Sequence, residues 1–190
     1  MKIILASKSP RRKDLLKKAG IKFKIIDSKL DESTIPLIEP KKYCQKLATL
    51  KAEAILKKHP QDLILAADTI VCIDNKILEK PIDKQDAFNM LTLLSGRTHK
   101  VYTGVSILSK KTDLNFVEKT EVTFFNLSKS EIKSYIKNNP PYDKSGSYGI
   151  QDDSLFFVKK INGSYENVIG LPISKLHRLL LELKVVNDYK

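Results

Sequence analysis

The run Leu63-Ile64-Leu65-Ala66-Ala67-Asp68-Thr69-Ile70-Val71-Cys72-Ile73 carries a single ionisable carboxylate, that of Asp68. A charge among apolar and β-branched residues is costly unless cations or hydrogen-bond donors compensate it. Either Asp68 ends a strand and accepts backbone bonds, or it is catalytic at the carboxyl end of a strand, where α/β sheets bind ligands. Lys51 repeats the anomaly, because Cys44, Ala48, Lys51 and Ile55 share one helical face and the lysine therefore points inward. It either snorkels to solvent along its methylenes or reaches a cleft, where its ammonium pairs with a phosphate or with Asp68. The third signal is Ser7-Lys8-Ser9-Pro10-Arg11-Arg12, read as a polar turn opening a helix. Free N–H groups at such an end bind anions, and arginine adds bidentate donors. Two arginines against the positive end of a helix conflict with its dipole, and a phosphate would remove that conflict; a plain Ser-Pro cap with solvent-facing arginines is the simpler alternative. Lys80, in Leu78-Glu79-Lys80-Pro81, is either a second lysine for the same place or an ordinary surface lysine.

These residues need elements to hold them. Residues 2–6 read as a short buried strand, followed by a helix from Pro10 to about Ala19, stopped by Gly20. A strand at 23–27 and an irregular acidic stretch around Asp31 and Glu32 follow. Apolar spacing predicts a helix over residues 41–58, and the Asp68 run is a central strand closed by a turn at Asp74-Asn75-Lys76. A helix at 84–94, strands near 99–109 and 114–126, and a helix from Ser128 to Asn138 come next. Pro140-Pro141 then leads into a glycine-containing loop ending at Gln151. Two strands flanking Asn162-Gly163 and a helix over 173–184 complete an α/β fold with a mixed sheet.

The chain has 190 residues, 42% of them hydrophobic, enough for one large domain or two small lobes around a cleft. Its 34 Lys and Arg against 22 Asp and Glu give a charge of +12, which favours an anionic partner: nucleic acid, an acidic membrane surface or a phosphorylated metabolite. With 7% aromatic residues, no Trp and no nucleic-acid motif, nucleic acid is the weaker candidate. The apolar stretch at residues 2–6 is too short for a signal peptide or membrane anchor, so a cytoplasmic protein without a membrane partner is expected. Cys44 and Cys72 sit among apolar residues and read as reduced and structural. His59, His99 and His177 lack the spacing of a zinc site and receive no role. Walker, GxGxxG and nucleophile-elbow motifs are absent.

Six blocks resemble, in order, those of the Maf family: Ser7 to Arg12, Ala67-Asp68-Thr69, Glu79-Lys80-Pro81, Leu94-Ser95-Gly96-Arg97-Thr98-His99, residues 143–151 and residues 162–172. The resemblance spans nearly the whole chain and implies one domain over 1–190. It also implies a mixed, twisted sheet flanked by helices, with two lobes around a central cleft of the Maf and ITPase kind. By that resemblance the chain is a nucleotide pyrophosphatase using a divalent cation, Mg or Mn. Asp68 is then the proton acceptor, Ser7, Arg12, Lys51 and Lys80 line the phosphate site, and Glu32 positions metal or water. Arg11, Thr69 and Gln151 match the branch acting on dTTP and UTP rather than 7-methyl-GTP, with Thr69 and Gln151 suited as donors for base recognition. The expected partner is a nucleoside triphosphate. A homodimer, a basic nucleic-acid-binding role and a cell-division regulatory role stay open as alternatives.

Overall fold

A computed structural model describes residues 2–186. The strands are β1 (Ile3–Leu5), β2 (Lys24–Ile25), β3 (Leu63–Ile73), β4 (Lys76–Leu78), β5 (Thr98–Ser109), β6 (Thr112–Phe124) and β7 (Val158–Asn162). The helices are α1 (Pro10–Lys18), α2 (Pro40–Leu56), α3 (Lys84–Leu94), α4 (Lys129–Asn138), α5 (Tyr165–Ile169) and α6 (Ile173–Glu182). One sheet runs β2-β1-β3-β5-β6-β7, with β4 pairing on β3. β1 is parallel to both β2 and β3, and the other pairs are antiparallel, giving the mixed α/β sheet that the sequence predicts.

β3 is apolar except at Asp68 and Thr69 because both of its faces are covered. On one face α2 lays Ala52 and Ile55 against Ile64 and Ala66, and Tyr43, Cys44 and Leu47 against Ile70. On the other, Leu65, Ala67, Val71 and Ile73 join the main core with Leu91, Ile136 and Leu180 from α3, α4 and α6. Each of the leucines, isoleucines and valines among them contributes roughly 1.5–3 kcal/mol on burial. α2 lies unusually close to the sheet because β5 has Gly104 beneath it. A Cβ there would stand 2.5 Å from the Cys44 carbonyl oxygen, so only glycine fits.

Both ends of β3 share one edge. β1 pairs with residues 63–65 and β4 with residues 71–73, leaving residues 66–70 without a strand partner on that side. Asp68 stands in the middle of this gap. It is not at the end of β3, as expected, but beyond the last residue of the parallel neighbour β1, whose Leu5 pairs with Leu65. The polar turn at Ser7 and the Pro10 start of α1, capped by Ser9 accepting from the Arg12 N–H at 3.4 Å, explain why β1 stops there.

Three further expectations need correction. The strand at 23–27 shrinks to the exposed pair Lys24–Ile25. The turn after β3 is tighter than read: Asp74 and Asn75 take positive φ, 50° and 61°, and return the chain directly into β4. Beyond Asn162-Gly163 the chain forms not a strand but α5, because the Ser164 side chain accepts from the Asn167 N–H and Gly170, at φ 129°, ends the helix. Among the described residues no helix is long and apolar enough to cross a membrane.

Candidate active site

The gap in the sheet edge opens into a cleft of about 340 Å³ that gathers all nine residues singled out from sequence: Ser7, Arg11, Arg12, Glu32, Lys51, Asp68, Thr69, Lys80 and Gln151. β3 supplies two of them on opposite faces, since consecutive strand residues alternate. Asp68 points toward α2 and Thr69 toward α1.

On the α2 face, Lys51 does not snorkel to solvent. Its Nζ donates to Asp68 Oδ1 at 2.5 Å and lies 2.8 Å from Glu32 Oε1, and the Lys51 and Asp68 side chains are each 11% exposed. Glu32 arrives on a 3-10 turn whose start is capped by Asp31, accepting from Ser33 N. Burial opposes the Glu32 charge, but Lys51, then Lys80 and Arg12, outweigh it and hold this carboxyl below its usual range. Asp68 Oδ2 has no protein partner among the described residues and remains available to the cleft.

On the α1 face, Arg12 donates from Nε to the Gly170 carbonyl at 2.8 Å, from Nη1 to Ser7 Oγ at 3.2 Å and from Nη2 to Thr69 Oγ1 at 3.0 Å. Burial lowers its pKa, while the charge of Asp68 works the other way. Arg11 turns outward and donates to Asp143 Oδ2 at 2.7 Å. The expected conflict between the two arginines and the helix end is therefore met by protein acceptors, without a phosphate. Thr69 also departs from its reading as a donor. Its hydroxyl accepts from Arg12, and its own proton has inward partners in Thr103 Oγ1 at 2.9 Å and Gly170 O at 3.3 Å.

Lys80 and Gln151 reach the cleft as exposed side chains, and Lys80 has no ion-pair partner among the described residues. The loop carrying Gln151 is rooted on the sheet. Ser145 Oγ accepts from Val71 N at 2.9 Å and donates to Leu78 O, and Gly146, with φ 69°, packs so close that a Cβ would meet Val71 at 2.8 Å. Tyr148 of the same loop is hydrogen-bonded through its hydroxyl to buried His99 Nε2 at 2.7 Å. Burial drives the His99 pKa down to about 3, so the ring is neutral and structural. Asp143 and Lys144 also line the cleft and were not singled out; an Asp-Lys pair in a glycine-containing loop was the available signal. Thr103 and Asn167, which stand behind Thr69, gave no signal, since a threonine in a β-branched strand is unremarkable.

The acidic side chains of the cleft bear on whether a divalent cation fits there. Asp68 and Glu32 converge on one cationic atom, Lys51 Nζ, so two carboxylates already share a locus for positive charge. Among the described residues no group of three or more His, Cys, Asp or Glu forms a metal site. The Glu32 carboxylate completed by water and substrate phosphate oxygens is a donor set suited to Mg, which rarely uses an all-protein cage. The residues fit.

The architecture is that of a known α/β class: it matches the structure of a HAM1 protein from Coxiella burnetii with a TM-score of 0.51 at 13% identity, covering 96% of this chain and 99% of that one. Within that class the chain belongs to the family described as Maf-like protein, which residues 2–183 match. A relative from Bacillus anthracis called dTTP/UTP pyrophosphatase is 47% identical over 97% of this chain and 96% of its own length. One of the same description from Bacillus mycoides is 48% identical over 94% of each.

Proposed function

We propose that this protein is a nucleoside triphosphate pyrophosphatase that cuts dTTP and UTP to the monophosphate and pyrophosphate. The observation that carries the reading is the buried Asp68 carboxylate, anchored by one oxygen to Lys51 and open at the other, within the cleft that holds the Ser7 to Arg12 helix start. The near-full-length relatives called dTTP/UTP pyrophosphatase support the substrate.

Water attacks the α-phosphorus as Asp68 Oδ2 takes its proton; the bond to the bridging oxygen breaks, and its electrons leave with pyrophosphate. Ser7 Oγ already accepts from Arg12 and from the Ser9 N–H at 3.2 Å, so its own proton is free for a phosphate oxygen. Lys80, which lines the cleft, meets the charge developing on the leaving group. Lys51 holds the Asp68 carboxylate in place through Oδ1. Glu32, with phosphate oxygens of the substrate, would hold the divalent ion, Mg or Mn, which would supply charge neutralisation on the phosphates and leave Asp68 Oδ2 to the proton. Arg11, Thr69 and Gln151 face the nucleoside.

The test is pyrophosphate release from dTTP, UTP, CTP, GTP and 7-methyl-GTP with Mg or Mn, beside Asp68→Asn. Turnover led by dTTP and UTP, falling about 10²–10⁴-fold in the variant, is expected. Preference for 7-methyl-GTP would overturn the substrate, and an unaffected variant the mechanism.

A further inference from the structure

Two hydroxyls meet Arg12, and the guanidinium, which has only donors, obliges both to accept from it. Ser7 Oγ accepts a second time from Ser9 N and keeps its proton for the cleft. Thr69 is bound differently. Its Oγ1 lies 2.9 Å from Thr103 Oγ1, which lies 3.1 Å from the backbone carbonyl of Asn167. A carbonyl can only accept, so the Thr103 proton goes to Asn167 and the Thr69 proton goes to Thr103. Among the described residues the other acceptor near Thr69, Gly170 O at 3.3 Å, also lies inside the protein. Protons thus run inward from Arg12 through Thr69 and Thr103 to Asn167.

The end of that line is fixed. Asn167 and Thr103 are each 0% exposed, so water does not compete for them. The Asn167 side chain donates to the Val101 carbonyl at 3.2 Å and to Thr120 Oγ1 at 3.0 Å, tying α5 to β5 and β6. Thr69 itself is half-buried and shares the cleft with Val71, Val168 and Ile169, apolar side chains suited to a flat ring rather than to phosphate.

Resting on the nucleotide reading above, we propose that Thr103 is a positioning residue that, with the Asn167 carbonyl, presents Thr69 to the cleft solely as a hydrogen-bond acceptor, so that Thr69 selects a nucleoside group bearing a donor. The imide N–H of uracil and thymine is such a donor, where cytosine has a bare ring nitrogen. The 3′-hydroxyl, the sugar donor that dTTP and UTP share, is another source in the same molecule. Without Thr103 Oγ1 the Thr69 proton keeps only the longer bond to Gly170 O at 3.3 Å and turns more readily toward the cleft, and the distinction weakens.

The experiment compares wild type, Thr103→Val and Thr103→Ser. It measures kcat/KM for UTP, CTP and 3′-deoxy-UTP, calorimetric affinity for UMP and CMP, and inhibition by pyrophosphate. Valine keeps the shape and removes the hydroxyl; serine keeps the hydroxyl. Wild type and Thr103→Ser are expected to favour the ligand carrying the donor by about tenfold, and Thr103→Val to lose most of that factor with pyrophosphate inhibition unchanged. A change confined to the CTP and CMP arm assigns the donor to the base; one confined to 3′-deoxy-UTP assigns it to the sugar. Ratios unchanged in Thr103→Val, or lost equally in Thr103→Ser, overturn the proposal. Thr103→Ala takes the place of the valine variant if that fails to fold. Should wild type turn over no nucleotide, the pyrophosphatase reading falls, while the UMP and CMP affinities still decide the role of Thr103.

Discussion

On the α2 side of the cleft, Lys51 and Asp68 meet with each side chain 11% exposed, whereas on the loop side Arg11 meets Asp143 with side chains 25% and 57% exposed. The two ion pairs have similar lengths, 2.5 and 2.7 Å, and different consequences. Water screens the second and barely reaches the first. A buried charge stripped of its partner cannot relax into solvent, while an exposed one can. The α2 wall is therefore part of the folding core and holds the reacting group, and the loop tip is a latch that affects ligand more than fold.

The strongest attempt to break that contrast is Lys51→Ala, which leaves Asp68 buried without its cation. It should cost about 3–5 kcal/mol in urea unfolding and abolish turnover. A loss below about 1 kcal/mol would place Lys51 with the exposed pairs. The root of the loop wall is tested by acid. His99 has a folded pKa of about 3 against 6.5 unfolded, so above pH 6.5 it places no proton-linked load on the fold. As pH falls below that value the unfolded chain takes up a proton that the native ring refuses, and stability drops by roughly 1.4 kcal/mol per pH unit. His99→Phe should flatten this part of the stability profile between pH 6.5 and 5. Gly104→Ala, which pushes α2 off the sheet, should cost about 1–3 kcal/mol and lower kcat because the same helix carries Lys51. The smallest effect belongs to the latch: a double-mutant cycle on Arg11→Ala and Asp143→Ala should return no more than about 1 kcal/mol of coupling, decreasing with salt.

The sequence exposed the α2 wall more fully than the loop wall, and for a physical reason. Asp68 and Lys51 violate the apolar pattern of the elements that carry them, and such a violation is visible without coordinates. Strand β3 and helix α3 were likewise readable to the residue, because long periodic runs specify themselves. Asp143 and Thr103 violate nothing: one is polar in a loop, the other β-branched in a strand, and only tertiary contact gives them meaning. The segment after Gly163 misled because Val168-Ile169 looks extended, although Ser164 and Gly170 are a start and stop for a helical turn.

The stretch of β3 left without a neighbour between β1 and β4 carries a cost of its own. Bare strand edges invite foreign chains to zip alongside, the route by which sheets aggregate. Here the entrance is crowded with charged side chains, among them Arg12, Glu32, Lys51 and Lys80, which a passing strand would have to desolvate. The groups assembled to greet a polyphosphate thus double as sentries for a missing strand, and neutralising several of them together is expected to show up in solubility as well as in catalysis.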